Sequence, residues 1–140
     1  MGHSPADRTL EALLEHLAEY DRVVEVGVGR RTDLAGELAA RGVAVTATDV
    51  HRREVPEGVA FELDDIFDPD IDVYEGADAI YALNLPPELH RPAFAVARAV
   101  DADFLFTTLG GDQPTVPVRR EPVPGDTVFV ARSIARDGHR

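Results

Sequence analysis

Acidic and amide side chains stand where the apolar runs of this chain end. Val23-Val24-Glu25-Val26 leads into Gly27-Val28-Gly29, and a second run ends in Ala47-Thr48-Asp49. A third is followed by Asp64-Asp65 and a fourth by Asn84. Glycines let a backbone approach a ligand where a Cβ would block it. A helix that starts just beyond them points free amides at an anion. An ionised carboxylate only accepts hydrogen bonds and can take both hydroxyls of a ribose. Gly27 and Asp49 lie 22 residues apart (49 − 27), close to the roughly 20 of a βαβ nucleotide-binding unit. This chemistry suits an adenosine-containing ligand.

The individual residues carry alternatives. Glu25 precedes the glycine loop, where it would meet a ligand ammonium group or cap the loop. A dinucleotide fingerprint asks for a third glycine where Thr32 stands, so NAD is the weaker expectation. Asp49 would repel the phosphate of NADP, although Arg52 and Arg53 follow it closely. Asp65 would accept from an adenine amino group while Ile66 or Phe67 packs on the ring, or it is one more acidic loop residue. Asp68, Asp70 and Asp72 are spaced like the start of a calcium loop. Val73 replaces its glycine and Ala79 its glutamate, so no calcium site is expected. His16 reads as a helix flank, His51 and His90 as lying in or beside loops, and His3 and His139 as terminal. None has metal-ligand spacing or a nucleophile partner.

These residues need a frame to hold them. Ser4-Pro5-Ala6-Asp7 reads as a helix start, and Leu10, Leu13, Leu14 and Leu17 give that helix one apolar face. Strands are expected at residues 23–26, 43–48, 59–63, 79–83, 104–107 and 127–131. Helices are expected at about 32–41, ended by Gly42, and from the prolines at 86 and 87 to about 100. Residues 68–76 read as loop or a short helical turn, and residues 110–126, rich in proline and glycine, as an extended loop. Strands alternate with helices and are apolar throughout. The expected architecture is a single α/β domain with a mostly parallel sheet covered on both faces. Its ligand crevice lies at the carboxyl ends of the strands, beside the first.

Composition narrows the function classes. The chain has 140 residues and no cysteine, which excludes disulfides, thiolate metal sites and cysteine nucleophiles. No apolar run is long enough to span a membrane and no leader peptide is visible, so a cytoplasmic protein is expected. Asp and Glu number 26 against 14 basic residues, all of them arginine, for a net charge of −12. That is the balance of proteins from salt-loving archaea, where salt screens acidic self-repulsion. It argues against a nucleic-acid partner.

The order Glu25-x-Gly27-x-Gly29, with Asp49 and Asp64-Asp65, resembles the cofactor half of class I S-adenosylmethionine-dependent methyltransferases. Asn84-Leu85-Pro86-Pro87 resembles the Asn-Pro-Pro-aromatic motif of the amino-group enzymes, with an extra leucine and no aromatic; otherwise it is a proline-started helix. Nearly the whole chain resembles a small uncharacterised archaeal family of Rossmann-like proteins, uncharacterised protein family 0146. That resemblance rests on residues 24–30, 47–50, 64–67 and 80–89. It implies a three-layer α/β/α domain of truncated methyltransferase type. It also implies S-adenosylmethionine as cofactor, with Glu25, Gly27 and Gly29 around the methionine part, Asp49 on the ribose, and Asp65 with Ile66 at the adenine. Methyltransferases of this class carry a further antiparallel pair after the fifth strand, and only one strand is expected here. A truncated edge suggests a homodimer. Three functions follow: a minimal methyltransferase, a non-catalytic nucleotide-binding or interaction module, and an NAD-binding protein.

Overall fold

Successive residues of a strand point to opposite faces, so a sheet packed on both sides needs unbroken apolar strands. The computed structural model, which describes residues 5–133, is built this way. Strands β1 (Arg22–Glu25), β2 (Ala44–Asp49), β3 (Val59–Leu63), β4 (Ala79–Ala82), β5 (Asp103–Phe106), β6 (Arg119–Val123) and β7 (Asp126–Ala131) form one sheet. Their order is β3-β2-β1-β4-β5-β7-β6. The first five are parallel, and β7 runs antiparallel to both β5 and β6.

Helices α1 (Pro5–Leu17) and α2 (Asp33–Ala40) lie on one face, α3 (Ile71–Tyr74) and α4 (Pro87–Val100) on the other. Val23, Val45, Tyr81 and Leu105 pack with Leu13, Leu17, Leu34 and Leu38. Their strand neighbours Val24, Ile80, Phe104 and Phe106 pack with Tyr74, Ala93, Val96 and Ala97. Two cores therefore sandwich the sheet, giving the three-layer α/β/α arrangement.

Gly42 ends α2 as its sequence suggests. It sits at φ +91° while Val43 N–H donates back to Leu38 O, the left-handed helix stop that glycine favours. Ser4, His3 and His139 lie outside the described residues.

The expected loop over residues 110–126 is not one. It contains β6, which pairs with β7 from Arg119–Val130 to Val123–Asp126. Its sequence, Arg-Arg-Glu-Pro-Val, has no apolar run because β6 is an edge strand with exposed faces. Proline is tolerated at such an edge, where no ladder bond is lost. The antiparallel pair after β5 is thus complete. Its expected absence is corrected, and with it the missing-strand argument for a homodimer. What is short in this chain is the connections: one helical turn between β3 and β4, and no helix between β5 and β6. His90 lies in the first turns of α4, fully buried, with Nε2 donating to Leu85 O at 2.9 Å and Nδ1 accepting from Thr115 N–H at 3.2 Å.

Candidate cofactor-binding site

The strand order reverses direction between β1 and β4, which opens a crevice above the carboxyl ends of the strands. The loop after β1 crosses that crevice. Gly27 and Gly29 adopt φ of +69° and +58°, a region costly to residues with a Cβ. A Cβ on Gly27 would meet nothing within 4 Å, so the glycine there answers to backbone conformation and leaves the crevice open. Thr32, where a third glycine was sought, has an ordinary φ of −105° and begins α2 without a side-chain cap.

Asp49 fastens this loop. Val28 N–H donates to Thr48 O at 2.9 Å. Gly29 N–H donates to Asp49 Oδ2 at 2.8 Å, and His51 N–H to Oδ1 at 3.0 Å. Arg53 Nε lies 3.5 Å from Oδ2. Burial raises the pKa of Asp49. The amides of His51 and Gly29, with the charge of Arg53, outweigh it and hold the carboxyl below its ordinary value. The result is a fixed anion at the end of β2, each oxygen keeping a lone pair beyond its amide partner.

Beside it runs a groove of about 490 Å³ lined by Gly27, Asp49, Val50, Arg53, Asp65 and Ile66, among others. That volume suits a small-molecule ligand. Val50 and Phe67, more than half exposed, add apolar walls. Asp65 accepts from Phe67 N–H at 2.9 Å, a local turn that sets the Asp65–Phe67 wall. Asp64 plays another part. Its Oδ1 accepts from Asp70 N–H and its Oδ2 from the Tyr74 hydroxyl at 2.6 Å. Burial, then Asp64, push the Tyr74 hydroxyl well above its usual range. Asp64 therefore braces the loop.

Two candidates sit elsewhere. Glu25 is 1 % exposed and lies under the glycine loop on the α1–α2 face, not on the groove lining. Its Oε1 accepts from the Tyr81 hydroxyl at 2.7 Å. Burial raises its pKa to about 7, against the pull of that hydrogen bond and of Arg31. Burial, then Glu25, likewise push up the Tyr81 hydroxyl. Pairing the strands reveals the partnership, because Glu25 and Tyr81 are direct neighbours in the β1–β4 register. Asn84, at a left-handed φ of +52°, lines a second cavity of about 220 Å³ with Thr9, Arg31, Thr107 and Asp126. Its N–H donates to Thr107 Oγ1. The structure thus brings Gly27, Asp49, Asp65 and Ile66 to one groove, with Gly29 tied behind Asp49. It adds Val50 as a wall, and it places Arg53, noted in the sequence for its nearness to Asp49, on the same groove.

The family model described as Uncharacterised protein family (UPF0146) matches residues 9–134. The chain belongs to this family. A UPF0146 protein of Halobacterium salinarum is 55 % identical over 117 residues, covering 83 % of this chain and 91 % of the relative. Among solved structures, the methyltransferase domain of bacterial CtHen1 aligns with a TM-score of 0.70 at 12 % identity, covering 94 % of this chain and all of that domain. An RNA methyltransferase from Salinibacter ruber, in complex with S-adenosyl-L-homocysteine, aligns with a TM-score of 0.63 at 15 % identity. The alignment covers 96 % of this chain and 93 % of that one. At such identities the likeness is one of fold: this UPF0146 chain has the Rossmann-like fold of class I methyltransferases. Among the described residues no helix is long and apolar enough to cross a membrane.

Proposed function

We propose that this UPF0146 protein binds S-adenosylmethionine and transfers its methyl group to an acceptor. The observation that carries the reading is Asp49. It is an ionised carboxylate fixed by the glycine loop beside an apolar-walled groove of ligand size, at the switch point of the sheet. Asp49 would receive the ribose hydroxyls. Ile66, Val50 and Phe67 would flank the adenine, and Asp65 would accept from its amino group. Gly27 and Gly29 would give the backbone approach. Glu25, bonded to Tyr81 across β1 and β4, would remain beneath the site, in place of the ammonium contact its position suggested. Arg31 and Asn84 in the second cavity suit the amino-acid end, where a guanidinium matches a carboxylate.

When bound, S-adenosylmethionine supplies a methyl group on a positively charged sulfur. The chain's part is alignment of acceptor, methyl and sulfur, which alone can supply a large share of the rate. One observation favours a binding module instead: Asp49, Asp64 and Asp65 are all engaged by backbone amides.

Calorimetry in molar potassium chloride with S-adenosylmethionine, S-adenosylhomocysteine and NAD tests the reading. Wild type should bind both sulfur compounds at micromolar concentration, and Asp49→Ala should bind them at least about tenfold more weakly, the worth of hydrogen bonds to a charged acceptor. Binding of NAD alone, or of none of the three by folded protein, would overturn it. Tight binding without methyl transfer across metabolite and RNA pools would favour the module.

A further inference from the structure

We infer that Arg53 determines which ribose the groove accepts, by donating its Nε–H to one hydroxyl oxygen of a sugar held on Asp49. The inference rests on the adenosyl reading above. Arg53 lines the groove, and its Nε is buried without a hydrogen-bond partner. Its neighbour Asp49 Oδ2, already bonded by Gly29 N–H at 2.8 Å, attracts it as an ion pair at 3.5 Å, long for a hydrogen bond. A buried donor left unpaired is costly, so a natural ligand should supply its acceptor.

A ribose hydroxyl fits that vacancy. It donates to the carboxylate and keeps lone pairs for another donor. Hydrogen-bond distances are about 2.7 Å for O–H···O and about 2.9 Å for N–H···O. Both close at once on two protein atoms 3.5 Å apart. One sugar oxygen can therefore bridge Asp49 Oδ2 and Arg53 Nε. A phosphate in the same place would gain Arg53 but face the Asp49 carboxylate. Asp49 alone would accept either hydroxyl of the sugar; Arg53 makes the two unequal. The groove is thus built for a free hydroxyl at this corner and against a phosphorylated one.

The test is calorimetric binding of S-adenosylhomocysteine and its 2′-deoxy and 3′-deoxy analogues to wild type, Arg53→Met and Arg53→Lys. Methionine keeps the length of the stem without the donor. Lysine keeps the charge without the Nε–H. For one of the two hydroxyls, the penalty for deleting it should be about tenfold larger in wild type than in either variant. For the other hydroxyl the penalty should be the same in all three proteins. Equal penalties throughout would overturn the inference. So would a change shared by both hydroxyls, which would mean that Arg53 only steadies Asp49. Restoration by lysine would reduce the role to charge and overturn it as well. Wild type that binds S-adenosylhomocysteine with unaltered penalties refutes Arg53 alone; wild type that fails to bind it refutes the adenosyl reading too.

Discussion

Replacing Glu25 by glutamine should make the protein more stable at neutral pH, although it removes a charge from a hydrogen-bonded site. Glu25 is 1 % exposed, and burial lifts its pKa from 4.5 to about 7. Between those values the folded protein keeps a proton that the unfolded chain has released. Stability contributed at this site is therefore undiminished below about pH 4.5, falls as pH rises, and levels off above about pH 7. At about 1.4 kcal/mol per pH unit, the loss amounts to about 3 kcal/mol. Glutamine cannot ionise, and its carbonyl can still accept from Tyr81. The assay is urea unfolding of both proteins from pH 4 to pH 8 at constant potassium chloride. The stability difference, variant minus wild type, should climb by about 3 kcal/mol across that range and then stay flat. Any fixed cost of the glutamine amide appears at pH 4 and cancels. Tyr81→Phe removes the hydrogen bond that holds the pKa down, so its own decline should extend to higher pH. A difference that stays level, or that falls with pH, would refute a neutral buried carboxyl at Glu25.

Two further outcomes follow from the same geometry. Gly27→Ala should cost about 1 kcal/mol in urea unfolding, the strain of a Cβ at positive φ, because no atom lies within 4 Å of the added carbon. A loss several times larger would show that the loop packs more tightly than described. His90→Ala should cost about 3 kcal/mol or more, since it strips partners from Leu85 O and Thr115 N–H and empties a site against Phe106. Unchanged thermal unfolding would remove His90 as the pin of the loop after β5.

The parallel half of this fold is legible because its strands are buried on both faces. Val23, Val24 and Val45 announce themselves without any partner in view. Gly27, Gly29 and Asp49 are legible for a different reason: each stands at a strand end, where spacing along the chain sets position in space. β6 is hidden because an edge strand is under no demand to be apolar, and Pro122 reads as loop until the edge is known. His90 is hidden because α4 turns it inward to two backbone groups that lie 5 and 25 residues away. Glu25 shows the limit most clearly. Its place before the glycine loop suggests ligand contact, yet its environment is set by Tyr81, 56 residues on. Which face a strand-end side chain takes depends on the register of the sheet.

The bond from Thr9 Oγ1 to Pro124 O, at 2.8 Å, joins residues 115 positions apart. It ties the first helix to the turn of the final hairpin, and the apolar face of α1 packs against Val128 and Val130 of β7 within one core. On a ribosome, α1 emerges well before the strands that complete its seat. The βαβ half can assemble with α1 against α2 before β6 and β7 are made, but until then α1 has only part of its seat. Closure of the domain therefore waits for β6 and β7 and is governed by a contact of long sequence separation, correspondingly slow. A nascent chain arrested before residue 119 would leave part of the leucine stripe of α1 open to chaperones, and a chain extended through β7 would withdraw it.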